Sequence, residues 1–178
     1  MSELAVRVRE TKPSDRDVLV DFARAMAHET EGKQLELETV RAGVAAFLAD
    51  PARGRAFVVE SGGEAVATLY LTFEWSDWRN GFFWWIQSVY VRPAERRRGH
   101  YHRLHDHVRS LATQAGNVCG LRLYVERENR SAQATYRGLG MHQTDYLLYE
   151  EPIGASAGET RPPSASHPSH RRPTAGWR

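Results

Sequence analysis

The stretch VRPAERRRGHYHRL, residues 91–104, decides the fold of this chain. It follows the aromatic and β-branched run FFWWIQSVYV, which is typical of a strand, and it leads into Tyr101, Leu104 and Val108 at helical spacing. A strand that turns through arginines and a glycine into a helix provides unpaired backbone N–H groups and a positive dipole end. The arginines add charge-assisted hydrogen bonds to a phosphate. Taken alone, the stretch fits either an anion site or a solvated run of charges.

Strand and helix patterns alternate on both sides of this stretch. Period-2 and short apolar runs predict strands, and apolar residues at helical spacing between capping residues predict helices. The order of these patterns predicts an α/β (α+β) fold in which one mixed sheet is flanked by helices. The predicted strands are 5–9, 55–60, 64–72, 82–91 and 119–125, with one or two closing strands in 141–150; the predicted helices follow Ser14 and Asp15, cover 38–49, run from Tyr101 to near Gly116, and run from Asn129 to Leu139.

Length and composition predict one folded domain, residues 1–153, and a disordered tail, residues 154–178. The chain has 178 residues, of which 41% are hydrophobic and 26% are charged, as in ordinary globular proteins. The tail is rich in Pro, Ser, His and Arg, so it cannot bury enough apolar surface to offset its ordering entropy. No apolar run approaches the roughly 18 residues of a membrane span, and no signal peptide is evident. With Cys119 as its single cysteine, the chain is expected in the reducing cytoplasm.

The distribution of charge argues against a nucleic-acid partner. The whole chain carries a net charge of +2, and the residues from 154 onward carry +3, which leaves −1 for residues 1–153. A protein that binds the phosphate backbone concentrates its positive charge on the folded surface. We therefore expect neither a nucleic acid nor a membrane as partner.

Two motifs in the folded part resemble those of the GNAT acetyltransferase superfamily. Its cofactor motif, V-x-P followed by [R/Q]-x-x-G-x-[G/A], is matched by Val91-Arg92-Pro93 and Arg96-Arg97-Arg98-Gly99-His100, with Tyr101 at the position that is usually Gly or Ala. Its N-x-x-[A/S]-x-x-x-Y motif is matched from Asn129 through Ala132 to Tyr136. The resemblance extends over residues 5–150 and implies a GNAT fold, with a mostly antiparallel sheet whose central strands splay apart.

This resemblance implies acetyl-CoA as co-substrate and assigns residues to it. Backbone groups of the fourth strand would bind the pantetheine amides, and one strand N–H would polarise the thioester carbonyl. N–H groups of Arg97 to His102, in the arginine turn (residues 96–99) and at the start of the helix that follows it, would hold the pyrophosphate. Asn129 would contact the pantetheine arm, and Ala132 must be small beside it. The Tyr101 ring must then point toward the core. The cofactor residues so implied are Val89, Tyr90, Val91, Arg96, Arg97, Arg98, Gly99, His100, Tyr101, His102, Asn129, Ala132 and Tyr136.

The resemblance also implies two catalytic residues. Tyr136 would protonate the departing CoA thiolate as general acid. The segment YLTFEWSDWRNGFFWWIQSVYV resembles that of the spermidine/spermine and related diamine acetyltransferases, which carry Glu-Asp where this chain has Gln87-Ser88. Because Gln87 cannot act as a base, we expect its amide to hold a water that relays the proton of the amine.

The acceptor is expected to be a cationic amine held by carboxylates and aromatic rings. Carboxylates attract such a substrate by charge, and aromatic rings bind it through cation–π contact. The alternative is that each carboxylate is an ordinary surface charge with no role in binding. The substrate-binding candidates are Glu29, Glu31, Glu74, Asp77, Trp78 and Gln87.

The resulting hypothesis is an acetyl-CoA-dependent N-acetyltransferase that acts on a primary amine of a small molecule such as a polyamine, a diamine or an amino-acid-like compound. The alternatives are a protein or peptide N-acetyltransferase and a non-catalytic acyl-CoA-binding module. A homodimer remains an option. No metal is expected, because His102 and His105 share a helix face without a further ligand cluster.

Overall fold

The computed structural model describes residues 5–151 and 153. The chain divides into two units, Met1–His142 and Gln143–Arg178. All helices and strands of the described residues belong to the first unit, while residues 143–151 and 153 of the second contain neither. The tail that we predict from residue 154 onward lies outside the described residues, so its disorder stays a prediction.

Five strands form one sheet in the order β1-β2-β3-β4-β5. The first four strands pair antiparallel and β5 runs parallel to β4, which confirms the predicted mixed, mostly antiparallel sheet. Ser61-Gly62-Gly63-Glu64 connects β2 to β3, and both glycines have positive φ (60° and 85°), as a tight hairpin turn requires. The strands are β1 Val6–Glu10, β2 Arg55–Ser61, β3 Glu64–Ser76, β4 Gly81–Val91 and β5 Val118–Leu123.

The described residues form four α-helices, of which the first three pack against the sheet. They are α1 Arg16–Glu31, α2 Leu37–Ala49, α3 His100–Ala115 and α4 Arg130–Gly138. The side chain of Glu36 caps α2 by accepting hydrogen bonds from the N–H groups of Glu38 and Thr39. The pair Asp50-Pro51 follows α2 and prevents its continuation. None of these helices is long and apolar enough to cross a lipid bilayer, a finding that covers the described residues only.

Two apolar core clusters are found among residues 5–151. One contains Phe57, Leu69 and Leu71 of the sheet together with Leu104 and Val108 of α3. The other joins α1 and α2 to the sheet through Leu19, Val20, Phe22, Val44, Val58 and Tyr90. The apolar side chains that predicted the strands and helices therefore also determine which elements pack together.

The predicted closing strands are wrong, since residues 141–150 contain no strand. The apolar alternation in this segment satisfies the strand pattern, but a strand needs a neighbour whose backbone completes its hydrogen bonds. The side chains of Tyr146, Leu147, Leu148 and Tyr149 are exposed instead. Local propensity predicts that residues 141–150 can form a strand, but it does not predict whether a neighbouring strand is present to pair with them.

Asp15 makes the stability of the fold depend on pH. The residue is 7% exposed, and its carboxylate accepts hydrogen bonds from Arg9 Nη1 (2.7 Å), Arg9 Nη2 (3.0 Å) and the Lys12 N–H (2.7 Å). The hydrogen bonds from Arg9, which outweigh the opposing effect of burial, hold the pKa of Asp15 below its usual range. A depressed folded-state pKa contributes stability that is present above the unfolded value of about 3.9 and is lost as pH falls through the folded-state value.

We expect the free energy of unfolding to fall as the pH drops from about 5 to about 2, and to fall less steeply in Asp15→Asn. Urea unfolding at several pH values measures this slope. Asp17→Asn is the control, because Asp17 is an exposed carboxylate that pairs with Arg16. Equal slopes in wild type and Asp15→Asn would show that Asp15 does not control the acid limb.

Candidate functional site

A slot opens where β4 and β5 part. Parallel pairing runs from Phe82 with Val118 to Ile86 with Leu123, where β5 ends, while β4 continues to Val91. Residues 87–91 therefore lack a β5 partner on that edge, as the predicted splaying of the central strands requires. Their outward backbone groups can bind the amides of an extended ligand.

The pairing of β4 with β3 identifies which backbone groups face this slot. The Arg92 N–H donates to the Val66 carbonyl (3.0 Å), and hydrogen-bonded residues alternate along an antiparallel pair. Val89 and Val91 consequently direct their backbone groups toward the slot, whereas Tyr90 directs its own toward β3. Of the three strand residues implied as backbone ligands, Val89 and Val91 present N–H and C=O groups there, although the Val91 carbonyl also accepts from Arg96 Nε (3.0 Å).

The arginine turn at the end of β4 has the geometry of an anion site. Arg97 and Gly99 both have positive φ (63° and 77°), and α3 begins at His100. The Arg103 N–H donates to the Gly99 carbonyl at 3.1 Å, so the N–H groups of the preceding helical turn are not paired within the helix. A Cβ placed at Gly99 would meet no atom within 4 Å, which shows open space in front of the turn. These features fit a pyrophosphate.

The side chains around this turn have different roles. Arg96 forms an ion pair with Glu29, Arg98 lies 3.3 Å from Glu95, and Arg97 has no ion-pair partner among the described residues. His100 is 4% exposed, with Nε2 3.1 Å from Glu95 Oε2, so only its backbone is available to a ligand. Arg97 is therefore the guanidinium most free to turn toward a phosphate.

Tyr136 of α4 lies against Tyr101 of α3, with ring centroids 5.8 Å apart in an edge-to-face contact. Tyr101 packs against the core, as the resemblance requires of a large residue at its position. Burial raises the pKa of Tyr136, so its hydroxyl keeps its proton at neutral pH. Asn129 caps α4 by accepting from the Ala132 N–H (3.0 Å) and so fixes the helix that carries Tyr136.

Gln87 is the extra residue of a β-bulge. Tyr70 pairs with Ser88 and Leu71 pairs with Ile86, so Gln87 has no partner in β3. Its side chain is exposed, and Nε2 donates to Thr72 Oγ1 at 2.9 Å. This hydrogen bond uses the amide N–H side and leaves the amide oxygen to accept from a water or an amine.

The predicted acidic residues lie in separate places and are engaged within the fold. Glu29 at the end of α1 accepts from Tyr90 Oη (2.8 Å) and pairs with Arg96, and these hydrogen bonds, that of Arg96 first, lower its pKa. Glu31 pairs with Lys33 at 2.8 Å.

The remaining acidic residues belong to the β3–β4 hairpin. Glu74 accepts from Trp85 Nε1 (2.5 Å) and pairs with Arg122 (2.9 Å). Asp77 accepts from the Trp78 N–H (2.9 Å), and Trp78 is 91% exposed. The structure does not bring the predicted carboxylates together into one acidic pocket.

A pocket that the sequence analysis did not predict lies between the two N-terminal helices and the sheet. It has a volume of about 210 Å³ and is lined by residues of α1, α2, β3 and β4, among them Phe22, Phe47, Tyr70 and Ser88. Four elements contribute to it, so no single motif marks it. The small residues Ala23 and Gly43 on its lining are the local signal that points to space between the helices.

No group of three or more His, Cys, Asp and Glu side chains within the described residues is placed to hold a metal ion. The slot, the arginine turn, the bulge at Gln87 and the pocket together form the candidate site.

The chain is similar to known acetyltransferases. The model of the acetyltransferase (GNAT) family matches residues 19–141. The crystal structure of a possible acetyltransferase from Clostridium difficile 630 is 42% identical with a TM-score of 0.80, and the match covers 85% of this chain and 99% of that one. An aminoglycoside N-acetyltransferase AAC(6')-Iy in complex with CoA is 14% identical with a TM-score of 0.67, covers 84% and 95% of the two chains, and shows likeness of fold. No curated protein matches the chain.

Proposed function

The chain belongs to the acetyltransferase (GNAT) family, and on that premise we propose that it transfers the acetyl group of acetyl-CoA to a primary amine of a small molecule. The observation that carries the proposal is the slot between β4 and β5, which leads from the arginine turn to the bulge at Gln87. Backbone groups line the slot along its length, and its outer end suits phosphates. Its inner end adjoins Gln87, whose amide oxygen can hold a water that relays a proton.

Binding of acetyl-CoA is assigned to the slot and the turn. Val89 and Val91 bind the pantetheine amides through their backbone groups, while the N–H groups of residues 97–102 and the Arg97 guanidinium bind the pyrophosphate. The Val89 N–H polarises the carbonyl that receives the amine. When bound, acetyl-CoA supplies an acetyl group activated as a thioester.

Proton transfers are assigned to Gln87 and Tyr136. An alkyl amine with a lysine-like pKa of about 10.4 is mostly protonated at neutral pH and must lose a proton before it attacks. Gln87 holds a water through its amide oxygen, and that water passes the proton on to solvent or to a carboxylate. The neutral amine then forms a C–N bond at the thioester carbonyl carbon, and the C–S bond breaks. Tyr136 would donate its hydroxyl proton to the departing CoA sulfur and regain a proton from the second one that the amine nitrogen releases.

Gln87→Leu is expected to lower kcat/KM about tenfold, because the leucine cannot hold the relay water, whereas Gln87→Glu keeps activity. Steady-state assays across pH with amines of different pKa measure the effect. A limb of kcat/KM that stays at the same pH for all amines identifies a group of the enzyme. A limb that follows the pKa of each amine would contradict the relay.

The acceptor class is tested by a screen in which CoA release from acetyl-CoA is followed with alkylamines, diamines, amino acids and peptides. We expect a small primary amine to raise the rate well above the amine-free rate. If only peptides do so, the chain is a peptide N-acetyltransferase. If acetyl-CoA binds but no amine raises the rate, the chain is a non-catalytic acyl-CoA-binding module.

A further inference from the structure

The pocket between α1, α2 and the sheet lies next to the place of transfer. Ser88 and Tyr90 of β4 line it, and they alternate with Val89 and Val91, whose backbone groups face the slot. Gln87, the bulge residue, immediately precedes Ser88. A molecule in the pocket can therefore place an amine at the inner end of the slot while the rest of it stays between the helices and the sheet.

The chemistry of the pocket is apolar. Phe22, Met26, Val44 and Phe47 contribute side chains to its lining, and no charged residue of the described part of the chain does. A cavity of about 150 Å³ with a similar apolar lining holds a benzene molecule. The 210 Å³ here accommodates one ring or a short branched alkyl chain.

One hydrogen-bond donor in this pocket lacks a partner. The Tyr70 hydroxyl oxygen is buried and makes no hydrogen bond to any described residue, while its ring lies 4.9 Å from that of Phe47. Two neighbouring hydroxyl groups are satisfied, since Thr68 donates to the Phe57 carbonyl (3.1 Å) and Tyr90 donates to Glu29. Burial raises the pKa of Tyr70 to about 12, so the hydroxyl remains a donor at neutral pH. A buried donor without a partner costs free energy that a ligand with an acceptor atom would recover.

A diamine or polyamine carries a second cationic group, and the described residues that line the pocket offer it no complementary charge. Glu29 is occupied by Arg96 and Tyr90, and Glu74 is occupied by Arg122 and Trp85. An unpaired ammonium in apolar surroundings is strongly unfavourable. The pocket therefore discriminates against diamines and polyamines.

From these observations we infer that the acceptor is a monoamine with a compact apolar body, an aryl or branched alkyl group, which occupies this pocket and accepts a hydrogen bond from Tyr70. This inference rests on the proposed N-acetyltransferase function and narrows its substrate class. Burial of one ring in the pocket favours such an amine over a linear diamine by at least about tenfold in kcat/KM.

The test compares 2-phenylethylamine, its 4-methoxy derivative and 1,4-diaminobutane as acceptors for the full chain with acetyl-CoA. Both aryl amines are expected to exceed the diamine by about tenfold or more. Tyr70→Phe is expected to lower kcat/KM for the methoxy compound more than for the unsubstituted one, because only the former carries an oxygen acceptor. Equal or better turnover of the diamine would overturn the inference and leave the proposed function standing.

Filling the pocket provides the structural control. Ala23→Phe places a ring on its lining, and Ala42→Phe makes the same change at an exposed position of α2 that does not line it. The first is expected to lower kcat/KM for aryl amines about tenfold or more and the second to leave it unchanged, with melting temperatures recorded for both. Equal effects of the two variants would overturn the assignment to this pocket.

A binding measurement separates failure of this inference from failure of the proposed function. If no amine is acetylated, the proposed function fails, and calorimetric titration of 2-phenylethylamine into the protein with CoA then decides the pocket. Binding that is lost in Ala23→Phe and kept in Ala42→Phe supports the apolar site. Absence of binding to the wild type overturns it.

Discussion

Tyr136→Phe is expected to lower kcat by about 10²–10⁴-fold while the Kd of acetyl-CoA stays within about twofold. The hydroxyl acts on the sulfur only as the bond to the acetyl group breaks, so its loss affects the transition state and not the bound ground state. The ring itself is retained in phenylalanine, and with it the contact to Tyr101. The fold of α4 should therefore be unchanged.

Stopped-flow and steady-state assays with a reactive amine measure kcat, and calorimetry measures the Kd of acetyl-CoA. Tyr124→Phe is the matched control, because it removes the hydroxyl of an exposed ring that stacks on Trp85 after the end of β5. We expect that control to keep kcat. Unchanged kcat in Tyr136→Phe would show that Tyr136 is a packing residue. A comparable loss of kcat in Tyr124→Phe would show that the loss is not specific to the Tyr136 hydroxyl.

The order of elements from β1 to α4 could be predicted because each element carries a local signal. The strand before the arginine turn is aromatic and β-branched, and α3 shows apolar residues at helical spacing up to the glycine that ends it. Residues 141–150 carry a strand signal too, but a strand also depends on a pairing partner that periodicity does not identify.

The parts of the candidate site that consist of contiguous motifs could be predicted from the sequence. The parts that form where residues distant in sequence come together could not. The arginine turn and the residues around Tyr136 are contiguous in sequence. The partners of the carboxylates are not, since Glu29 and Arg96 are 67 residues apart and Glu74 and Arg122 are 48 apart. The sequence alone does not show whether a carboxylate is free to bind a cationic substrate or already forms an ion pair within the fold.

The ion pairs of these carboxylates also change what can be expected of the substrate. The aromatic strand and acidic turn resemble the diamine acetyltransferases, while the comparisons support the GNAT family as a whole. The sequence predicts that Glu29 binds a cationic substrate. In the structure it accepts a hydrogen bond from Tyr90 and forms an ion pair with Arg96, so it connects α1 to the arginine turn. We infer that the apolar pocket, assembled from four elements, selects the acceptor.

Gly99→Val is expected to raise the Kd of acetyl-CoA about tenfold to a hundredfold. At φ 77° a β-branched residue is strained by roughly 1–2 kcal/mol, so the turn shifts toward other backbone conformations and its N–H groups no longer converge. The added side chain also enters the open space in front of the turn, where no protein atom lies within 4 Å of a Cβ. At saturating acetyl-CoA, kcat should change little because the catalytic groups lie elsewhere.

Gly140→Val is the matched control, since Gly140 also has a positive φ (83°) and open space around a Cβ but follows α4 instead of preceding α3. Both variants should lose a similar amount of thermal stability, and only Gly99→Val should lose affinity in calorimetric titrations with acetyl-CoA. An unchanged Kd in Gly99→Val would remove the pyrophosphate from this turn. An equal rise in both variants would show that strain anywhere in the fold weakens binding, so that neither glycine marks the phosphate site.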